Sequence, residues 1–194
     1  MSDVRARLKD KKRIVVKIGS SSLMYADTGL LNIGKVEKLA RILADLRNAG
    51  NDVCLVSSGA ISTGRNSLTR NNNSNTLSFK QACAAIGQAK LIAHYQRFFA
   101  EYSINTAQVL LTEIILADEE SRVNALNTFN ELFKLGAIPV VNENDSISTE
   151  EIKYVHTFGD NDRLSAIVAK LVDADLLVIL SDIDGMYTDD PRKN

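Results

Sequence analysis

Residues 137–148 read AIPVVNENDSIS, and residues 158–166 read FGDNDRLSA. The first stretch opens as an apolar, β-branched run and breaks at Asn142 into Asn, Glu, Asn and Asp. That is the pattern of a buried strand ending in polar groups. The second stretch sets Asp160, Asn161 and Asp162 ahead of Leu164, Ile167, Val168, Leu171 and Val172, a helical spacing with carboxylates and an amide in the first turn. Open α/β sheets place ligands at strand C-ends and helix N-ends, so two such clusters mark a candidate site. Asp160 alone is accounted for as an N-cap. Capping requires neither Asn161 and Asp162 behind it nor the polar cluster at 142–145.

Working outward, three more apolar strands end in small or polar residues. RIVVKI at 13–18 runs into Gly19-Ser20-Ser21-Ser22, and the strand at 52–56 runs into Ser57-Ser58-Gly59-Ala60. The strand at 175–180 ends in Ser181-Asp182, and a further strand is predicted at 106–111. Helical spacing links them. Val36, Leu39, Ala40, Leu43 and Leu46 follow Asn32, a candidate N-cap, and Gly50 ends that helix. A capping box at 78–81 opens a long helix to about Tyr102, apolar on most faces, which predicts a helix sandwiched between other elements or lying at a subunit contact. Val123, Leu126, Phe129 and Phe133 form another helix, stopped by Gly136. Residues 70–75 read as a polar loop and 152–158 as a hairpin or flap.

Strands alternating with helices predict an α/β sandwich of three layers, α/β/α, with a mainly parallel central sheet. Residues 1–194 form one domain without repeat or linker. The chain stops just after a strand and turn, so a C-terminally truncated chain is expected. Its composition, 45% apolar and 24% charged with a net charge of -1, is that of an ordinary soluble globular protein. There is no global basic field for nucleic acid or anionic membrane and no apolar run near the ~18 residues of a span, and residues 1–13 are charged and lack the apolar core expected of a secretion signal. Only two cysteines occur, Cys54 and Cys83, expected to be buried apolar groups in a reducing cytoplasm.

If the sheet is parallel, the four polar strand ends share one edge. Lys17, inside an apolar strand, is then either an edge-strand lysine reaching solvent or a phosphate ligand. Gly19 to Ser22 favours the second, because a small-residue loop brings backbone N–H groups against phosphate oxygens. No Walker loop is present. Ser58 stands at a strand-to-helix turn without the G-x-S-x-G elbow, and neither His94 nor His156 falls in an obvious strand-end loop. A hydrogen-bond donor to a small polar ligand is the better role for Ser58 than a nucleophile.

These segments resemble the glutamate 5-kinase branch of the amino-acid kinase family. The resemblance rests on VVKIGSSSL (15–23), SSGAISTG (57–64), KQACAAIGQ (80–88), QVLLT (108–112), PVVNENDSIS (139–148), FGDNDRLSA (158–166) and SDIDGMYTDDP (181–191). It implies the amino-acid kinase fold and ATP-dependent phosphorylation of the γ-carboxylate of L-glutamate, the first step of proline biosynthesis, with Mg²⁺ arriving with ATP. It implies that Lys17 touches the transferring phosphoryl group and that Asp162 orients Lys17. Ser58, Asp145 and Asn161 would hold glutamate, Asp145 pairing with its amino group. Gly19, Ser20, Ser181 and Asp182 would contact the nucleotide, and no residue is assigned to a metal. Feedback inhibition by proline, a homo-oligomer and glutamyl phosphate reductase as a partner are implied in the same way. The family's second lysine, its glycine-rich nucleotide loop and the PUA domain of many members would fall beyond residue 194. The alternatives are a catalytically silent glutamate- or proline-binding module and a related kinase with another acceptor.

A carboxylate acceptor, with a solution pKa of about 4.3, is already ionised at neutral pH and needs no general base. The obstacle is the approach of one anion to another, which positioning and charge neutralisation overcome.

Overall fold

The computed structural model describes residues 6–68, 74–112, 117–147 and 160–181. Five strands, β1 (Arg13–Ile18), β2 (Asp52–Ser57), β3 (Thr106–Leu111), β4 (Ile138–Glu143) and β5 (Leu176–Leu180), form one sheet in the order β3-β4-β2-β1-β5. Every neighbouring pair is parallel. Parallel neighbours require crossover connections, and helices supply them: α1 (Ser20–Leu23), α2 (Ile33–Asn48), α3 (Ala60–Asn66), α4 (Leu77–Ala100), α5 (Glu119–Lys134) and α6 (Asp160–Leu171).

Alternation along the strands divides the core in two. Ile14, Val16, Ile18, Leu55 and Val140 face α2 and α4, where they meet Val36, Leu43, Leu91, Tyr95 and Phe99. Val15, Cys54, Val56 and Val141 face α5 and α6, against Phe129, Phe133, Leu164 and Val168. The result is the expected three-layer sandwich. Both cysteines are buried, and burial raises the Cys54 thiol pKa far above its ordinary value, which makes it inert as a nucleophile.

At the N-terminal edge of the sheet, Arg13 is a four-way tie. Its Nε and Nη2 donate to Asp52 Oδ2 at 3.2 and 3.1 Å, and its Nη1 donates to the Val172 carbonyl at 2.7 Å. Its guanidinium also lies 5.0 Å from the centre of the Phe133 ring. Asp175 Oδ2 accepts from the backbone N–H groups of Lys12 and Arg13 at 2.9 and 2.8 Å. These backbone donors hold the Asp175 carboxyl below its ordinary range.

One of the two readings of Lys17 falls, and two expectations need correction. Lys17 is not on an edge: β1 lies between β2 and β5, and the residue is 8% exposed. The long helix begins one residue before the proposed box at 78–81, capped by Thr76, whose Oγ1 accepts from Phe79 N–H at 3.3 Å. A hydroxyl three residues ahead of a free N–H caps as well as the later serine would. The central strand does not break at Asn142 but continues through Glu143, both residues being buried. Pairing of Leu110 with Asn142 and Leu111 with Glu143 carries the ladder past the apolar run. Asn32 caps α2 as expected, accepting from Lys35 N–H at 3.1 Å. The proposed flap at 152–158, His156, Asp182 and the tail after it lie outside the described residues.

Helix α4 is indeed sandwiched, with the sheet on one side and α3 on the other. The contact with α3 is a backbone contact. A Cβ on Gly64 would stand 1.8 Å from the Cys83 carbonyl oxygen, and one on Gly87 would stand 1.8 Å from that of Ala60. Only glycine permits such an approach. It locks the turn after β2 against α4.

Candidate functional site

Because all five strands run parallel, the loops after β1, β2, β4 and β5 open on one edge. Lys17 is the penultimate residue of β1, and strand alternation puts it on the same face as Val15, the face that α6 covers. Asp162, in the first turn of α6, meets it there. Lys17 Nζ lies 2.5 Å from Asp162 Oδ1, the lysine side chain being 9% exposed and the aspartate 46%. A buried ammonium without a counter-charge costs several kcal/mol, and the contact with Asp162 supplies that counter-charge and holds the lysine in one place. The aspartate is the more exposed member of the pair. A Cβ on Gly19 would be 3.4 Å from Lys17 Nζ, so glycine leaves the ammonium room at the loop.

The other face of the same edge carries a line of amides. Asn161 Nδ2 donates to Ser58 Oγ at 2.5 Å and to Asn142 Oδ1 at 3.1 Å. Asn142 Nδ2 donates in turn to Gln88 Oε1 at 2.8 Å. Asn142 and Gln88 are 2% and 6% exposed, so the line runs from the buried α4 face to the strand-end turn. That turn is held in two further ways. Ser57 Oγ donates to the Ser58 carbonyl at 3.3 Å and meets the Tyr95 hydroxyl at 2.8 Å. Gly59 adopts φ +103°, a conformation that calls for glycine, and a Cβ there would also push aside the Met24 Cε methyl 2.9 Å away.

Beside the amides lies a cleft of about 200 Å³, lined by Ala60, Ala84, Gln88, Glu143, Asp145 and Ser146 among others. The alanines keep it open, and the acidic and amide groups give it a polar wall. Asp145, half-buried on the loop after β4, is part of that wall. Ser181 is exposed and follows β5, which pairs Leu180 with Ile18, so Ser181 continues beside the Gly19–Ser20 loop.

The structure therefore joins Lys17 to Asp162 and Ser58 to Asn161, and the adjacency of Asn161 and Asp162 joins the two pairs. Asp145 belongs to the cleft that Gln88 also lines. Gly19, Ser20 and Ser181 sit at the same edge, with Asp182 beyond the described residues. His94 is half-buried within α4. Reading the sequence did not single out Gln88. The signal was there: a glutamine one turn from Ala84 and Leu91 and two turns from Tyr95 on the apolar stripe of α4 is a buried polar group, which needs partners.

Such an edge suits an anionic or zwitterionic ligand. The ammonium attracts negative charge, Ser58 supplies a hydroxyl, and Asp145 matches a cationic group. Among the described residues no cluster of three or more His, Cys, Asp or Glu side chains has the arrangement of a metal centre. No described helix is long and apolar enough to cross a membrane.

Residues 12–194 match the profile of the amino acid kinase family. Over 191 residues, 98% of the chain, the sequence is 52% identical to the glutamate 5-kinase of Clostridium perfringens and covers 71% of that protein. It is 53% identical over the same share of the chain to the glutamate 5-kinase of Carboxydothermus hydrogenoformans, and spans half of its length. Among solved structures, the UMP kinases of Bacillus anthracis and Ureaplasma parvum superpose with TM-scores of 0.59 and 0.60 at 16% and 17% identity. Each superposition covers 95% of this chain, and 70% and 72% of the respective kinase. At that identity the likeness is one of fold.

Proposed function

The chain belongs to the amino acid kinase family, and from that premise we propose that it transfers the γ-phosphoryl group of ATP to the γ-carboxylate of L-glutamate. A carboxylate oxygen forms the new bond to phosphorus, the bond to the bridging oxygen of ADP breaks, and ADP leaves with the electron pair. The product is γ-glutamyl phosphate, the entry to proline biosynthesis. The observation that carries the proposal is the contact of Lys17 with Asp162 beside that of Asn161 with Ser58, in a chain half identical to proteins named glutamate 5-kinase.

In this reading Lys17 neutralises charge on the transferring group. A lysine ~4 Å from a developing charge contributes about 4 kcal/mol at an effective dielectric of 20. Asp162 keeps the ammonium aimed, and Ser58, Asn161 and Asp145 hold glutamate, Asp145 by its amino group. The fit of the nucleotide rests on the room beside Gly19. Gly19, Ser20 and Ser181 would line the phosphates together with Asp182, and Mg²⁺ would enter with ATP to shield their charge. Feedback inhibition by proline, a homo-oligomeric state, hand-over of the product to a glutamyl phosphate reductase and a cytoplasmic location belong to the same proposal. Ile86, 40% exposed on α4, is compatible with a subunit contact.

The test is ADP release with trapping of the acyl phosphate by hydroxylamine as the hydroxamate, using L-glutamate, L-aspartate, N-acetyl-L-glutamate and UMP as acceptors. Glutamate-dependent hydroxamate is the expected result. Turnover with another acceptor alone would reassign the substrate. Calorimetric binding of glutamate without ADP release would make the chain a binding module.

A further inference from the structure

We infer that Gln88 is a positioning residue that sets which way the amides of the substrate pocket point; this deepens the glutamate reading above and rests on it. The inference starts from hydrogen-bond polarity. Gln88 Oε1 accepts from Asn142 Nδ2, so Asn142 must turn its Oδ1 toward Asn161. Asn161 answers with Nδ2, which also donates to Ser58 Oγ. With an N–H already directed at its oxygen, the Ser58 hydroxyl keeps its own proton for a ligand. An amide offers a carbonyl on one side and an NH₂ on the other, so each orientation in the line fixes the next.

Removing the acceptor at position 88 releases this order. Asn142 can then flip, placing its NH₂ against the NH₂ of Asn161. Relief of that donor–donor clash flips Asn161, which turns a carbonyl toward Ser58. The Ser58 hydroxyl then donates to Asn161 and is lost to the substrate carboxylate. Gln88 is 6% exposed on α4, and its Nε2 has no partner among the described residues. It lines the cleft that Asp145 also lines. The backbone contact of its neighbour Gly87 with Ala60 fixes its height relative to the Ser58 turn.

Gln88→Met keeps length and helix propensity but removes the acceptor. Gln88→Glu keeps the length and still presents a carboxyl oxygen as acceptor to Asn142. Loss of one buried hydrogen bond and inversion of a donor should raise the KM for glutamate about tenfold in Gln88→Met. The KM for ATP should stay within about twofold and the loss in kcat should be smaller, while Gln88→Glu should restore glutamate binding to within about threefold of the parent. Side-chain amide resonances of Asn142 and Asn161 provide a second readout that needs no substrate. Their ¹H–¹⁵N positions should shift and exchange faster in Gln88→Met and stay parent-like in Gln88→Glu. Melting curves identify any variant that does not fold, in which case Gln88→Leu replaces Gln88→Met. Equal behaviour of the methionine and glutamate variants, or unmoved amide resonances in the methionine variant, overturns the inference. Failure of the parent chain to bind glutamate while the amides respond as stated would instead refute the substrate and leave the role of Gln88 standing.

Discussion

Lys17 Nζ stands 2.5 Å from Asp162 Oδ1, tying an interior strand of the sheet to the first turn of α6 at the edge where the loops open. The lysine is nearly buried and its partner is half exposed. The contact holds the cation still at that edge.

Replacing Lys17 with alanine removes that fixed charge. Loss of a preorganised donor typically costs ~10²–10³ in turnover. A fall of that order in kcat is expected, with the KM for glutamate changed far less, in the hydroxamate assay. Near-normal kcat would take Lys17 out of the mechanism.

Asp145→Ala should show the opposite split. In the proposed reading its carboxylate pairs with the substrate's amino group, a contact that would be made in the ground state and the transition state alike. The KM for glutamate should rise by more than tenfold, with kcat least affected. Glutarate, which lacks the amino group, should bind the parent and the variant equally well in calorimetry.

Gly87→Ala tests the backbone contact between α3 and α4. The added Cβ would fall 1.8 Å from the Ala60 carbonyl oxygen, so the helices must separate. Overpacking of this kind costs about 1–3 kcal/mol or more, read as a lower midpoint in urea denaturation. Glutamate binding should weaken in the surviving fold, since the Ser58 turn rides on α3. An unchanged midpoint would show that the helices part freely.

Asp175→Asn addresses the opposite edge and stability alone. Backbone N–H groups of Arg13 and Lys12 lower the native pKa of Asp175, below an unfolded value of about 3.9. Its contribution is therefore fully present above that unfolded value and is lost as pH falls through the lowered native one. The asparagine variant should be less stable at neutral pH and converge with the parent in strong acid, as followed by denaturation midpoints across pH. A constant gap at every pH would remove the carboxylate as the cause.

The alternation of apolar and polar residues determined most of the architecture. RIVVKI at 13–18 and the run at 106–111 became strands with the boundaries their composition indicates, because β-branched runs bounded by breakers have few other uses. Asn32 and Gly50 marked the ends of α2 through local capping chemistry. The polar clusters at 142–145 and 160–162 announced a site for the same reason: capping and turns do not account for them. Tertiary structure alone decided whether Lys17 lay at an edge or inside, since strand order depends on crossovers between distant segments. It alone turned Asn142 and Gln88 into one hydrogen-bonded line, because an amide's orientation is fixed by partners far along the chain and not by its neighbours in sequence.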